Sequence, residues 1–116
     1  MPHCIVEYAS ALKGQIEIET LMDKVTEGCL KSALFELKDI KTRAISYDYY
    51  QSAGQTDNAD FIHIEVKLLA GRNMLQRKLL SKSILDSVLV LPLAKVSVTV
   101  EINDLDTECY AKQILN

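Results

Sequence analysis

The 116-residue sequence has few of the residues on which most metal sites and disulfide frameworks depend. It contains three cysteines, two histidines and no tryptophan. Cys4, Cys29 and Cys109 are far apart in the sequence and form none of the closely spaced pairs that hold zinc or carry out disulfide chemistry. We therefore interpret the cysteines as free thiols of a reducing compartment and expect no metal site.

An excess of positive charge and long apolar segments are also missing. Thirteen Lys and Arg residues face sixteen Asp and Glu residues, for a net charge of −3, whereas nucleic-acid binding needs clustered basic residues. The longest nearly apolar stretch, SVLVLPLAKVSV, contains Pro92 and Lys95 and is too short to span a bilayer. The first residues lack the basic segment and apolar core of a signal peptide. We expect a cytoplasmic protein that binds neither nucleic acid nor membranes.

No phosphate-binding loop, GxGxxG fingerprint or GxSxG nucleophile motif occurs in the sequence. What the sequence does have is an ordinary globular composition, with 48% hydrophobic and 25% charged residues. Its length is typical of one domain, and we predict a single domain over residues 1–116.

Hydrophobic periodicity predicts the order strand–helix–strand twice, in pseudo-repeats of about 1–55 and 56–116. Thr20 and Asp23 indicate a capping box at the start of the first helix, and Pro92 is expected to end the second. The predicted elements are strands 2–8, 43–50, 61–69 and 95–102, helices 21–34 and 73–91, and a loop at 52–60.

The strands of each β-α-β unit should be parallel, because the crossover helix returns the chain in the same direction. We therefore predict an α/β (α+β) fold in which tandem units form a four-stranded mixed sheet with both helices on one face. The other face lacks cover in a single copy, and we expect it to include several apolar or aromatic residues, such as Tyr47, Tyr49 or their neighbours. Closed oligomerisation would cover it.

Pro2 is the first candidate for chemistry. If Met1 is removed, the Pro2 nitrogen becomes a secondary amine, and α-amines have pKa values of about 7.7–8.0. Such a group can act as a general base near neutral pH. The alternative is that this proline only begins a strand, where its missing N–H costs nothing.

Three cations are candidates for binding an anion. Arg72 follows a glycine where a strand gives way to a helix, and its guanidinium could bind a carboxylate through two hydrogen bonds. Lys41 and Arg43 lie at the start of the second strand. Solvated loop or strand-end cations remain the alternative for all three. We interpret His63, on the polar face of its strand, as an ordinary hydrogen-bonded or exposed histidine.

Three segments, MPHCIVEYA, IKTRAISY and AGRNMLQR, resemble the 5-carboxymethyl-2-hydroxymuconate isomerase family of the tautomerase superfamily. The resemblance covers about residues 1–90, and the C-terminal part fits in its strand pattern. It implies a tautomerase-like fold, a homotrimer, and a role in aromatic compound catabolism. It also implies a cofactor-free proton shift, the ketonisation of a small anionic substrate, namely an unsaturated dicarboxylate or tricarboxylate dienol.

The resemblance also implies roles for individual residues. Pro2 corresponds to the acid–base, Arg72 to the clamp for a substrate carboxylate, and Arg43 to the second arginine of the family's IRSR block. Lys41 replaces the first arginine of that block and lacks its planar fork, so we hypothesise a changed or weaker substrate. Two alternatives stay open. One is another reaction of the superfamily, such as dehalogenation or decarboxylation. The other is a catalytically silent trimeric binding or assembly protein, which both retention of Met1 and the presence of Lys41 would favour.

Overall fold

Two β-α-β units build the chain in the computed structural model, which describes residues 1–57 and 59–116. The strand order is β2-β1-β3-β4, with β1 and β2 parallel, β3 and β4 parallel, and β1 and β3 antiparallel. The predicted four-stranded mixed sheet with two helices is confirmed. The elements are β1 (His3–Ala9), α1 (Ile18–Lys31), β2 (Lys41–Tyr47), β3 (Phe61–Leu69), α2 (Met74–Val88) and β4 (Ser97–Leu105), with short 3₁₀ turns at Ser10–Gly14, Leu37–Asp39 and Thr107–Cys109.

The core lies between the two helices and one face of the sheet. Alternate residues of β1 and β3 are buried, because successive side chains of a strand point to opposite faces. The Sγ atoms of Cys4 and Cys29 meet in this core at 3.9 Å, and all three cysteines are free, as predicted. The fully buried aliphatic side chains are Val6, Leu12, Leu21, Val25, Ile62, Ile64, Val66, Leu68, Leu80, Ile84 and Val88.

Helix α1 begins and ends three residues earlier than predicted. Glu17 occupies the N-cap without a side-chain hydrogen bond, so the capping box expected from Thr20 is wrong. Burial of Leu21 and Val25, with Ile18 packed against the core, sets the start of the helix instead. The helix ends at Lys31 because Ala33 adopts a left-handed backbone with φ +62°.

Helix α2 begins as predicted but ends three residues early. Asn73 forms a capping box with Gln76, in which the side chain of each residue accepts a hydrogen bond from the backbone N–H of the other. The helix stops at Val88, so Pro92 does not end it directly. Within residues 1–57 and 59–116, neither α1 nor α2 is long and apolar enough to cross a membrane.

The predicted strand bounds shift by up to three residues. β2 starts two residues earlier than predicted, because Lys41 already pairs with His3. β4 starts two residues late and extends to Leu105, because Lys95 has a left-handed backbone with φ +58°. The predicted loop 52–60 contains a tight turn that pairs Ser52 with Gln55, and Asn58 lies outside the described residues.

The face of the sheet opposite the helices, here called the open face, carries several apolar and aromatic residues, as expected, together with charged ones. Tyr47 lies on it, but Tyr49 follows the end of β2 and is 95% exposed, so Tyr49 itself is not on this face. The strand register defines the open face as Lys41, Arg43, Ile45 and Tyr47 of β2, His3, Ile5 and Glu7 of β1, Phe61, His63, Glu65, Lys67 and Leu69 of β3, and Ser97, Thr99, Glu101, Asn103 and Leu105 of β4.

The two helices approach closely at Gly28. A Cβ atom at this position would lie 2.6 Å from the Cα of Ile84 and 2.9 Å from the carbonyl oxygen of Ser83. The Ser83 hydroxyl donates to the Gly28 carbonyl at 2.7 Å, which fixes the contact. Only glycine fits here without displacing the backbone of α2.

We expect Gly28→Ala to lower the free energy of unfolding by about 1–3 kcal/mol, because an added methyl group overpacks the helix contact. Urea denaturation at one fixed protein concentration would measure the change. Gly14→Ala is the matched control, since an added Cβ there has no neighbour within 4 Å. Equal stability of the two variants would contradict the prediction.

Candidate functional site

At one end of the sheet, the starts of β1 and β2 lie beside the end of β3. His3 pairs with Lys41 on one side and with Lys67 on the other. We call this end of the sheet the Pro2 end, because Pro2 directly precedes β1 there. Lys41 and Lys67, which are nearly 40 and more than 60 residues from Pro2 in the sequence, therefore lie beside the amino terminus.

Packing and a backbone hydrogen bond fix Pro2 at this end of the sheet. Its side chain is fully buried, and its carbonyl oxygen accepts a hydrogen bond from the Lys41 N–H at 3.0 Å. The ring fixes φ near −65°. The nitrogen of Pro2 is therefore attached to a backbone that is fixed by packing, by the sheet and by its own ring.

Met1 occupies the space next to the Pro2 nitrogen. Its amine donates to the Asp39 carbonyl oxygen at 3.0 Å, and its Sδ accepts a hydrogen bond from the Tyr110 hydroxyl at 2.9 Å. Burial lowers the pKa of this amine, and the charges of Lys41 and Lys112 lower it further, although Asp39 acts in the opposite direction. The surroundings of the amino terminus thus favour a neutral amine.

A groove of about 470 Å³ lies at the same place, between the segment before β2 and the C-terminal segment. Three of its lining residues are lysines, so the groove suits an anionic ligand. Among the described residues that line it, Asp39 has the only acidic side chain. The lining residues are Lys38, Asp39, Lys41, Tyr110, Lys112, Gln113 and Ile114.

His3 joins the groove to the open face. Its Nδ1 lies 3.1 Å from an Arg43 guanidinium nitrogen, and its Nε2 lies 3.1 Å from the Tyr110 hydroxyl. Burial lowers the pKa of His3, and the nearby charges of Arg43 and Lys41 lower it further. The neutral ring is therefore favoured near neutral pH, and it bridges a cation to a phenol.

Arg72 is positioned by Gly71, whose φ of +131° turns the chain after β3. The guanidinium donates to the Leu34 carbonyl oxygen at 3.2 Å and lies 5.1 Å from the centre of the Phe35 ring. Such a cation–π contact contributes about 0.5–1 kcal/mol at exposed sites. In the described part of the chain, these contacts orient Arg72 but do not join it to Pro2.

The structure thus places Pro2, Lys41 and Arg43 at one end of the sheet, with Arg72 on the adjoining loop. His3, Tyr110 and Lys112 were missed from the sequence. His3 is next to Pro2 and could have been noticed, but no local signal places Tyr110 107 residues away, beside it. His63 is hydrogen-bonded to Thr99 and Glu101, as its interpretation as an ordinary histidine required.

Side chains that could hold a metal ion do not gather in groups of three or more within residues 1–57 and 59–116. The groove instead offers the amines of its lysines and the phenol of Tyr110, and the His3 imidazole adjoins it through Tyr110. These groups bind anions and transfer protons, and neither task requires a metal.

Known proteins resemble this chain in sequence and in fold. The family model for 5-carboxymethyl-2-hydroxymuconate isomerase matches residues 2–113. The 5-carboxymethyl-2-hydroxymuconate Delta-isomerase of Escherichia coli is 33% identical over 79 residues, which is 67% of this chain and 62% of that enzyme. The match therefore spans less than two thirds of the curated relative.

Two solved structures show the same fold. A crystal structure of a 5-carboxymethyl-2-hydroxymuconate delta-isomerase is 18% identical and covers 100% of this chain and 89% of that one, with a TM-score of 0.85. A fused 4-OT protein, described as a symmetric trimer, is 19% identical and covers 90% of this chain and 85% of that one, with a TM-score of 0.73.

Proposed function

The chain belongs to the 5-carboxymethyl-2-hydroxymuconate isomerase family, and we propose that it is a tautomerase that ketonises an unsaturated, carboxylate-bearing dienol. One observation carries the proposal: Pro2 is fixed at the end of the sheet where β1 begins, beside a lysine-lined groove. 5-Carboxymethyl-2-hydroxymuconate is the substrate to test first. We place the enzyme in the cytoplasm and in the breakdown of aromatic compounds.

We propose that Met1 is removed and that the Pro2 nitrogen is the acid–base. As a neutral secondary amine it takes the proton of the dienol hydroxyl, which leaves a dienolate and a protonated proline. The protonated proline then returns a proton to a carbon further along the conjugated chain, and the oxygen becomes a ketone. No cofactor takes part. Burial and the charges of Lys41 and Lys112 lower the pKa of the Met1 amine at this place, and we expect the same surroundings to favour the neutral Pro2 amine that the first step needs.

The cations divide the work of binding the substrate. Lys41 contributes positive charge within the groove, and Arg43 lies two residues further along β2, on the same face of the sheet. One Arg43 nitrogen binds His3, and the guanidinium keeps further N–H donors. Arg72 acts as the clamp for a second carboxylate, with its plane oriented by Phe35. These charges also stabilise the dienolate as it forms.

We further propose that the chain forms a homotrimer through the open face. Neither α1 nor α2 covers this face in a single copy, and its Lys, Arg and Glu side chains require complementary partners when they are buried. The symmetric trimer among the structural relatives supports this arrangement for the fold.

Pro2→Ala should lower kcat by about 100-fold or more, because it removes the rigid secondary amine while a positioned acid–base contributes about 10²–10⁴-fold. Steady-state ketonisation of 5-carboxymethyl-2-hydroxymuconate measures the effect, and intact mass spectrometry reports whether Met1 has been removed.

Pro92→Ala is the matched control, since Pro92 is exposed and distant in sequence from the groove. An active enzyme that retains Met1, or unchanged turnover in Pro2→Ala, would refute the proline mechanism. An inactive protein with Met1 attached would support the alternative of a catalytically silent binding protein.

Exchanging lysine and arginine at the two proposed binding positions should change KM in opposite directions. Arg72→Lys loses the planar fork and should raise KM about tenfold, whereas Lys41→Arg gains a fork and should lower it about threefold or more. Both values come from steady-state kinetics, with melting temperatures recorded in parallel. A lower melting temperature with unchanged KM in Arg72→Lys would mean that Arg72 only supports Phe35 and Leu34. A wild type that binds as well as Lys41→Arg would contradict the role given to Lys41.

Light scattering should give a solution mass of three times the 13.0 kDa of one chain. Ile5→Arg should reduce this mass, because Ile5 lies at the centre of the open face and a buried unpaired charge destabilises an interface. Leu75→Arg is the control, since Leu75 is 76% exposed on α2. A monomeric wild type would rule out the trimer.

A further inference from the structure

We propose that Tyr110 is a further catalytic residue, whose hydroxyl donates a hydrogen bond to the dienolate oxygen in the space that Met1 occupies. The inference rests on the proposed function and extends it to the C-terminal segment. Pro2 transfers the proton and the cations supply positive charge near the dienolate, but neither has been given a direct hydrogen bond to the reacting oxygen.

The contacts of Met1 outline the space in question. Met1 is bonded covalently to the Pro2 nitrogen, so its removal opens the volume directly in front of that nitrogen. Two polar groups then lose their partner: the Asp39 carbonyl oxygen, which accepts from the Met1 amine at 3.0 Å, and the Tyr110 hydroxyl, which donates to Met1 Sδ at 2.9 Å. A substrate that reaches Pro2 must enter between an acceptor and a donor.

A chain of hydrogen bonds fixes the direction in which Tyr110 donates. The Arg43 guanidinium can only donate, so the His3 Nδ1 at 3.1 Å must accept. The neutral ring then carries its proton on Nε2, which donates to the Tyr110 oxygen at 3.1 Å. The Tyr110 proton is left to point at the place of Met1. The lowered pKa of His3 supports the neutral ring, and the edge-to-face contact of the two rings keeps them in position.

This geometry matches what the reaction needs. When the dienol hydroxyl gives its proton to Pro2, negative charge develops on the oxygen, and a donor that is already oriented stabilises it without further reorganisation. Tyr110 keeps its own proton throughout. When Pro2 returns a proton to carbon, the oxygen becomes a neutral carbonyl and the hydrogen bond weakens. The Asp39 carbonyl can accept from the dienol hydroxyl before the proton moves.

Tyr110→Phe tests the assignment, because it removes the hydroxyl and leaves the ring against His3. In enzyme without Met1, kcat for 5-carboxymethyl-2-hydroxymuconate should fall about 10- to 100-fold with little change in KM, since the bond strengthens only as charge develops. Tyr49→Phe is the matched control, because Tyr49 is 95% exposed and lies beyond the end of β2. A kcat equal to that of wild type would overturn the proposal.

A binding measurement separates this proposal from the proposed function. The probe is 4-nitrophenolate, whose conjugated oxyanion imitates the dienolate, and calorimetry should show about tenfold weaker binding to Tyr110→Phe. If wild type binds the probe through Tyr110 but fails to ketonise the dienol, the donor is supported and the proposed function is refuted. Equal affinity of both forms, or no binding by wild type, would overturn the donor. ¹⁵N chemical shifts showing His3 protonated on Nδ1 would also overturn it.

Discussion

The hydrogen bond from the Lys41 N–H to the Pro2 carbonyl oxygen is the constraint on which the site depends. Proline has no N–H to offer to a sheet, so its carbonyl is the only backbone group that can tie it to β2. This hydrogen bond places Pro2 at the start of the central strand β1, which pairs with β2 on one side and β3 on the other. The Pro2 nitrogen therefore lies on a backbone that is held as precisely as that of a core residue, and the proposed acid–base chemistry requires such precision.

Local charge rather than net charge governs the proposed chemistry. The chain carries a net charge of −3, yet three lysines line the groove beside Pro2. Charges beyond about 10 Å are screened at moderate ionic strength, so a ligand in the groove experiences these lysines far more than the distant acidic residues. Burial lowers the pKa of the Met1 amine at this place, and two of these lysines, Lys41 and Lys112, lower it further. The charges that suit an anion thus also disfavour a protonated amine.

The sequence was sufficient to predict the fold because both halves show clear periodicity. Alternation in β3 and the apolar stripe of α1 identified the elements and the face that each buries. Boundaries were less accurate, since left-handed residues such as Ala33 and Lys95 carry no sequence signal. Pro2 and the three cations could be proposed from local patterns and from a family resemblance. Tyr110 could not, because its neighbours in space lie more than 100 residues away in the chain.

The C-terminal segment returns to the start of β1 and adds Tyr110 and Lys112 to the groove. The sheet and the helices do not need this segment, but the groove does. A chain that stopped after Leu105 would contain every strand and both helices, yet it would lack Tyr110 and Lys112. During synthesis Met1 and Pro2 are made at the start, and Tyr110, whose hydroxyl donates to Met1 Sδ, follows 109 residues after Met1. A growing polypeptide can therefore complete its sheet before the C-terminal side of the groove exists.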